Sequence, residues 1–366
     1  MSSSENIGCE GASQEPVFRD ALFRKFRKSG ARIISSPDPS LEASVVDTHA
    51  HLDMLRNPSL ALARCAVMGM DFICTVADPA EGAEAVYRDF PEWKAGAMRL
   101  LPEVFEGTRK ALEHHRAEMA AAGTPLGDAP TVDEMLSYRC GCTARIPHIR
   151  VAVGVHPHNA KLWDADMERS LRAMLADPAT SALGEVGLDY HYDLSPRDVQ
   201  RDVFRRQIGI AHECGLPLML HIRDAHDEAF AILEEEGWPK GGVLLHCCSV
   251  GADEVARWVD RGAYIAFGGA VTFRSSDGIR SAACAVPSDR LLTETDSPYM
   301  TPVPFRGQEC GPEFTVFVAE FLASLRGVEP GCGRAAFLQE IHDNAWALLD
   351  REPTAWQQCA GFREDA

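Results

Sequence analysis

Eight short apolar segments recur from residue 44 onward, and helical patterns separate them. The segments cover residues 44–47, 72–77, 149–155, 181–186, 217–222, 243–247, 263–267 and 291–295. Most are nearly continuous apolar runs, as expected for parallel strands that are covered on both faces. Intervals such as 200–214 are long enough for crossover helices. Eight alternating units predict an α/β fold, specifically a (β/α)8 TIM barrel.

The remainder of the chain is predicted to extend this barrel at both ends. The predicted units are an N-terminal extension and linker at 1–43, the barrel at 44–350 and a C-terminal tail at 351–366. Apolar residues at 17, 18, 21, 22 and 26 have the spacing of one helix face, so a basic helix is predicted over 17–28. The Pro- and Ser-rich stretch 35–40 is typical of a linker.

One interval between strands is far longer than the others, namely residues 78–148. Residues 103–122 have helical composition and period, and 123–130 are typical of a loop. The sequence therefore predicts a helical insertion at about 84–148, between strands 2 and 3 and beside the mouth of the barrel.

Composition narrows the classes of function. The formal net charge of −18 opposes broad wrapping of a long nucleic-acid backbone, which requires a basic surface. A nuclease remains compatible with this charge, because divalent cations supply positive charge locally. No apolar run approaches the roughly 20 residues of a membrane span, so no membrane partner is predicted. Residues 1–11 lack a signal pattern and the 12 cysteines are scattered, which predicts reduced thiols and a cytoplasmic location.

Histidines and carboxylates stand at the ends of five predicted strands, where barrels of this kind place their active sites. They are, in chain order, His49, His51, Glu185, His221, His246 and Asp296. Residues two apart in a strand point to the same face, so His49 and His51 are predicted to bind one ion together. Imidazole and carboxylate ligands suit zinc, manganese, iron or magnesium. Six ligands that include a carboxylate able to bridge indicate two ions.

Three further residues are candidates for binding phosphate. His156 and His158 follow the third strand, where a structural role suits them equally well. Arg223 lies two residues after His221 on the same strand face. Its guanidinium can bind a phosphate oxygen bidentately or pair with a loop carboxylate. Asp47 is predicted to orient a neighbouring ligand.

Around these positions the sequence resembles the TatD family of metal-dependent deoxyribonucleases, which belong to the amidohydrolase-like barrels. The resemblance extends from residue 46 to about 350, apart from the insertion. It is carried by DTHAHLD at 47–53, AVGVHPHNA at 152–160, ALGEVGLDYHYD at 182–193, VFRRQIGIA at 203–211, LPLMLHIRDA at 216–225, LLHCCS at 244–249 and LLTETDSPYMTPVPFRG at 291–307. The order and number of these stretches make the match specific.

The resemblance implies hydrolysis of phosphodiester bonds with two divalent cations, Mg, Mn or Zn. It implies that the first ion is held by His49, His51 and Asp296, the second by His221 and His246, and both by a bridging Glu185. Asp296 would also accept the proton of a metal-activated water, so Asp296 and Glu185 are the catalytic candidates. The implied substrate is DNA, at strand ends or as short single strands, and the implied activity is that of a 3′–5′ exonuclease.

The chain departs from the family pattern beside this centre. Ala50 replaces a Cys between the two histidines, and Cys248 replaces an aromatic residue. Phe305 replaces a frequent His in a loop that lines the substrate cleft in the family, and the stretch 308–312 also differs. These departures are expected to affect the choice of substrate more than the binding of the metals.

Two other classes of function stay open. An amide or ester hydrolase, or an aminoacyl-RNA deacylase, would use the same metals, although such barrels often bridge them with a modified lysine. No lysine stands at any predicted strand end in this sequence, whereas Glu185 does. This favours a metal centre of the TatD type. A non-catalytic interaction module would use the basic segment 19–28, and the complete ligand set argues against it.

Overall fold

The structure is a computed structural model that describes residues 18–27, 30–34, 42–123 and 145–361 of the chain. Within these ranges the strands are β1 (Phe23–Arg27), β2 (Gly30–Ile34), β3 (Val45–Ala50), β4 (Met70–Ala77), β5 (His148–Val153), β6 (Thr180–Asp189), β7 (Leu218–Arg223), β8 (Val243–Leu245), β9 (Tyr264–Phe267) and β10 (Leu291–Thr293). The helices are α1 (Pro58–Val67), α2 (Glu84–Ala121), α3 (Ala165–Ala176), α4 (Arg197–Cys214), α5 (His226–Glu236), α6 (Ala252–Asp260), α7 (Asp277–Ala285), α8 (Thr315–Leu325), α9 (Cys332–Leu349) and α10 (Ala355–Gly361). The predicted linker at 35–40 and residues 124–130 of the predicted loop lie outside the described residues.

Strands β3 to β10 form one parallel sheet in sequence order. The sheet closes where the end of β3 meets the segment after β10. There Ala50 forms a bridge with Ser297, and the Asp296 backbone N–H donates to the His49 carbonyl at 2.9 Å. The predicted (β/α)8 barrel is confirmed, and strand ends differ from the predicted ones by at most three residues. Closure therefore joins two of the predicted metal-binding strand ends directly.

Apolar side chains fill the barrel interior up to the level of the predicted metal site. They are contributed by all eight strands: Val46, Phe72, Cys74, Val76, Ala152, Ala182, Met219, Leu244, Ala266 and Leu292. Leu348 and Leu349 of α9 join this cluster from the amino-terminal end of the barrel. At the other end, the Met219 sulfur lies 3.2 Å from His49 Nδ1. The packed interior thus ends directly beneath one of the candidate ligands.

The basic segment near the N-terminus forms a β-hairpin, so the helix predicted over 17–28 is wrong for the described residues. β1 pairs antiparallel with β2 over its whole length. Phe23 of β1 is buried, and its ring packs at 4.6–5.9 Å from the rings of Phe305, Phe314 and Phe317. A two-stranded ribbon is marginal by itself. Packing onto the barrel therefore stabilises a strand here instead of a helix. The local spacing of apolar residues does not reveal that packing.

The insertion after β4 contains a continuous helix of 38 residues, α2, which includes the predicted helical stretch and begins well before it. Ala83 and Val86, where α2 begins, line the cavity at the mouth of the barrel. Farther along the helix, Thr108 Oγ1 accepts the Ala21 backbone N–H at 2.8 Å. The described start of the insertion therefore lies beside the mouth of the barrel, and α2 also supports the segment that precedes the hairpin.

A pH-dependent ion pair joins α9 to the start of β4. His342 Nε2 lies 3.0 Å from Asp71 Oδ2, and His342 Nδ1 lies 3.2 Å from Asp343 Oδ1. Burial alone would lower the pKa of His342, but the two carboxylates outweigh burial and raise it above its usual value. Protonated His342 therefore stabilises the fold below about pH 6.5, and this stability is lost as the pH rises through the folded-state pKa.

We expect His342→Gln to lose about 0.5–1 kcal/mol more stability at low pH than at high pH, because only the protonated ring forms a charged pair. Urea unfolding at about pH 5.5 and about pH 8.5 measures this difference. Asp71→Asn should remove the same increment because it deletes the partner. Equal losses at both pH values in both variants would contradict this role.

The nine cysteines in the described ranges are free thiols. None of the helices in the described part of the chain combines the length and the apolar composition that crossing a membrane requires.

Candidate metal centre

Two histidines of β3 and a carboxylate after β10 meet at the carboxyl end of the barrel. His51 Nε2 lies 3.4 Å from His49 Nε2 and 3.5 Å from Asp296 Oδ1. His49 Nε2 lies 3.7 Å from the same Asp296 oxygen. Asp296 has a φ of 59°, a left-handed conformation that Asp tolerates better than most residues. These side chains form the first of two donor groups.

Glu185, in the middle of β6, lies between the two donor groups. Its Oε2 is 3.5 Å from His49 Nε2 in the first group. Its Oε1 is 2.6 Å from His221 Nδ1 and 2.9 Å from His246 Nε2, which form the second group. The carboxylate is only 6% exposed. One oxygen therefore faces each group, which is the arrangement expected of a carboxylate that bridges two cations.

In three of the histidines, an acceptor atom contacts the ring nitrogen that points away from Glu185. This contact determines which ring nitrogen carries the proton. The pairs are His49 Nδ1 with the Met219 sulfur at 3.2 Å, His221 Nε2 with Asp189 Oδ2 at 3.1 Å, and His246 Nδ1 with Glu294 Oε1 at 3.4 Å. Each partner is an acceptor and favours a proton on the nitrogen that it faces. In a neutral ring the opposite nitrogen, which faces Glu185, would then carry the lone pair that a bound metal needs.

His156 lies close to the same carboxylate but is held in the opposite tautomer. Its Nε2 is 3.8 Å from Glu185 Oε1, so its position alone is compatible with a metal ligand. Its Nδ1, however, accepts the His158 backbone N–H at 3.1 Å, which places the proton of a neutral ring on Nε2. Burial and the nearby His221 lower the pKa of His156 well below its usual value, so the ring is neutral. His156 therefore presents an N–H donor to the centre.

The protonation states of the centre follow from burial and from its own charges. Burial alone would raise the pKa of Glu185, but His246, His49 and His221 outweigh burial and hold it well below its usual range. Burial lowers the pKa of His49 strongly, and repulsion from His246 lowers it further. Glu185 is thus ionised and His49 neutral near neutral pH, which are the forms that bind metal. Burial alone would lower the pKa of His246, but Glu185 and Glu294 outweigh burial and raise it well above its usual value, so metal binding there would release a proton.

Two buried carboxylates that were not predicted as site residues orient the ligands. Asp189 Oδ2 accepts His158 Nε2–H at 2.8 Å in addition to its contact with His221. Glu294 Oε1 accepts the Cys247 backbone N–H at 2.7 Å, next to His246. Asp189 follows Glu185 by four residues and Glu294 precedes Asp296 by two, and side chains at even spacing share a strand face. That spacing was the signal that could have identified them.

Asp47 ties the first donor group to the barrel closure, as predicted from the sequence. Its Oδ1 accepts the backbone N–H groups of His49 at 3.2 Å and Thr295 at 3.0 Å. Burial raises the pKa of Asp47 to about 8 against the opposing effect of these hydrogen bonds. The residue joins the strand that carries His49 to the segment that carries Asp296.

A cavity of about 470 Å³ opens above the donor groups. Its floor contains five of the six predicted ligands, and His49 lies fully buried beneath it. The three predicted phosphate-binding residues, His156, His158 and Arg223, all line its wall. The Arg223 guanidinium carbon lies 4.8 Å from the centroid of the Tyr192 ring. The rim exposes three large side chains, Met54, Tyr192 and Tyr299.

This donor set fits divalent cations. Four imidazoles and two carboxylates gather within one site, and ring nitrogens of three imidazoles face a shared carboxylate. A (β/α)8 barrel with such a centre at the carboxyl ends of its strands defines a metal-dependent hydrolase.

Comparison with known proteins gives the family. A family model described as TatD related DNase matches residues 46–342. The chain belongs to this family, which confirms the resemblance found in the sequence.

Several named bacterial proteins are similar to this chain. The metal-dependent hydrolase YabD of Bacillus subtilis is 35% identical over 218 residues, which cover 59% of this chain and 84% of YabD. The metal-dependent hydrolase YcfH of Escherichia coli K12 is 43% identical over 175 residues, 48% of this chain and 65% of YcfH. The 3′-5′ ssDNA/RNA exonuclease TatD of Klebsiella pneumoniae is 31% identical over 216 residues, 58% of this chain and 80% of that protein.

Solved structures agree with the fold. The crystal structure of YjjV, a TatD homologue from Escherichia coli K12, superposes with a TM-score of 0.61 at 24% identity and covers 84% of this chain and 98% of YjjV. A TatD family hydrolase from Entamoeba histolytica gives a TM-score of 0.62 at 15% identity, with 86% of this chain and all of that chain covered. At these identities the likeness concerns the barrel fold alone.

Proposed function

We propose that this protein removes nucleotides from the 3′ ends of single-stranded DNA by hydrolysing phosphodiester bonds with two divalent cations, Mg, Mn or Zn. In this proposal the first ion is bound by His49, His51 and Asp296, the second by His221 and His246, and both by Glu185. The observation that carries the proposal is the position of Glu185, whose two oxygens face separate donor groups at 2.6–3.5 Å. A relative named as a 3′-5′ ssDNA/RNA exonuclease supports the choice of bond.

The side chains around the centre suit this reaction. Divalent cations, when bound here, would lower the pKa of water and offset charge on the phosphoryl oxygens. Asp296, at the floor of the cavity, accepts the proton of the attacking water. His156 donates its Nε2–H to a non-bridging phosphoryl oxygen, which its tautomer permits. Arg223 binds a second phosphoryl oxygen and holds the scissile bond in place.

The shape of the mouth supports a single strand as the substrate. A cavity of about 470 Å³ has the size of a small-ligand pocket, and a duplex is far wider. Tyr192 and Tyr299 are each more than half exposed at the rim. Exposed aromatic rings of this kind stack unpaired bases with little sequence preference.

The test uses the purified full chain with oligonucleotides that carry a label at the 3′ or the 5′ end. With Mg or Mn, we expect release of the 3′ label first, a ladder of shortened products from the 5′-labelled strand, and complete inhibition by chelator. RNA, an aminoacyl-RNA, an ester and an amide are assayed in parallel. Turnover of the ester, the amide or the aminoacyl-RNA without cleavage of DNA would contradict the proposal, as would full activity in chelator.

We propose residues 44–350 as the catalytic domain, and α10 packs against it through Gln357, whose Nε2 donates to the Leu175 carbonyl at 2.9 Å and the Thr180 carbonyl at 3.0 Å. The cytoplasmic location stays a prediction from the sequence.

A further inference from the structure

The N-terminal hairpin carries a charge opposite to that of the whole chain. The chain has 54 acidic and 36 basic residues. Residues 18–34 contain a single acidic residue, Asp20, and six basic ones, Arg19, Arg24, Lys25, Arg27, Lys28 and Arg32. This segment lies outside the stretch 46–342 that the TatD family model matches, so family membership assigns it no role.

Among the described residues, two of these cations pair with carboxylates and two do not. Arg19 pairs with Glu103 at 2.8 Å, and Arg24 pairs with Asp20 at 2.5 Å. Lys25 lies directly opposite Arg32 in the register of the hairpin. Within the described ranges neither Lys25 nor Arg32 has a carboxylate within ion-pair distance, and Arg32 is exposed. Like charges directly opposite each other destabilise a ribbon. An anion bound between them would remove that cost.

The hairpin is attached to the loop that leads away from the metal centre. Gln308 Oε1 accepts the Phe26 backbone N–H at 3.2 Å, and Gln308 Nε2 donates to the Arg24 carbonyl at 2.9 Å. The Gln308 carbonyl in turn accepts the Thr301 hydroxyl at 2.6 Å. The same loop begins at Asp296 and contributes Tyr299 and Met300 to the cavity. The hairpin is therefore bonded to the loop that borders the cavity.

Two residues of this loop, Phe305 and Gln308, hold the hairpin. Phe305 is fully buried, and its ring centroid lies 5.9 Å from that of Phe23. Gln308 forms the two backbone hydrogen bonds with β1. The loop and the hairpin are thus one structural unit.

We propose that Lys25 and Arg32 of this hairpin bind the phosphate backbone of the nucleic-acid strand outside the cavity. The inference rests on the proposed nuclease function, because it assigns the hairpin to the same substrate. The two cations contact phosphates of nucleotides that follow the reacting one toward the 5′ side. They keep long strands on an otherwise acidic protein, and a substrate too short to reach the hairpin gains nothing from them.

The test compares a long and a short substrate in Lys25→Gln/Arg32→Gln. With a single strand of about 20 nucleotides, KM should rise about five- to tenfold and the slope of log KM against log salt should fall by about 1.4, the value for two phosphate contacts. Hydrolysis of bis(p-nitrophenyl) phosphate should not change. The matched control is Lys240→Gln/Arg206→Gln, which removes two exposed cations from other parts of the barrel and should behave as the unaltered protein.

A second measurement separates this inference from the proposed function. Fluorescence anisotropy of the same strand with metal-free protein reports binding without turnover, and it should show the same loss of affinity and of salt dependence. If the unaltered protein cleaves no nucleic acid but binding still depends on Lys25 and Arg32, the proposed activity fails and the hairpin contact stands. Unchanged KM, affinity and salt slope in the variant overturn the hairpin contact. Equal effects in the control pair, or hairpin-dependent binding to vesicles of phosphatidylserine instead of DNA, also overturn it.

Discussion

Glu185→Gln is expected to lower kcat/KM on single-stranded DNA by about 10³-fold or more, the scale on which loss of a central charge-stabilising group acts. The substitution conserves shape but removes the charge that lies between the two donor groups. It also replaces one of the two carboxylate oxygens with an amide NH2, which has no lone pair to offer a cation. Bound metal should fall from two equivalents to at most one, measured by elemental analysis after loading and desalting.

Glu313→Gln is the matched control for this prediction. Glu313 is also a buried carboxylate, at 4% exposure, and burial raises its pKa, so a neutral amide is a mild change there. It lies outside the donor groups, and its variant should keep both metals and its activity. A Glu185→Gln protein that retains two metals and cleaves DNA at an undiminished rate would show that the assigned centre is not the catalytic one.

The barrel could be predicted from the sequence because its signal is repeated eight times. Most strands are nearly continuous apolar runs, and each is followed by a segment of helical length, so an error of up to three residues at one end leaves the topology unchanged. The six candidate ligands could be predicted once the barrel was predicted, because parallel strands bring their carboxyl ends to one edge. The structure brings all six together, and their roles as ligands remain proposals.

The hairpin could not be predicted because its stability comes from residues nearly 300 positions away. Phe23 packs on Phe305, and Gln308 binds the edge of β1. The apolar spacing of residues 17–26 fits a helix equally well, and only the tertiary contact excludes it. Long-range packing overrides local periodicity in short segments of this kind.

The role of His156 depends on which of its ring nitrogens carries the proton, and no sequence pattern encodes that. Its position permits either a metal ligand or a phosphate contact. The His158 backbone N–H decides between them, because it occupies the lone pair of Nδ1. The structure therefore supports the phosphate-binding role, and it does so through the backbone conformation of the loop after β5.

The spacing of β6 and β7 at Gly187 determines whether the second donor group can form. Gly187 has a φ of +145°, and a Cβ there would lie 2.1 Å from the carbonyl oxygen of His221, its partner in the neighbouring strand. Any side chain at this position must push the strand of His221 away from that of Glu185. Such a shift would lengthen the distance of 2.6 Å between His221 Nδ1 and Glu185 Oε1.

Gly187→Ala is therefore expected to lose about 2–4 kcal/mol of unfolding free energy, from backbone strain together with steric overlap. Its affinity for the second cation should fall more than its affinity for the first, because His49, His51 and Asp296 do not lie on β6 or β7. Urea unfolding and calorimetric metal titration measure the two effects separately.

Gly209→Ala is the control, since a Cβ on Gly209 in α4 meets nothing within 4 Å and alanine favours a helix by about 1 kcal/mol over glycine. That variant should be as stable as the parent or more so, with both cations bound. If Gly187→Ala matched it in stability and in metal binding, the close approach of β6 and β7 would not be what holds His221 against Glu185.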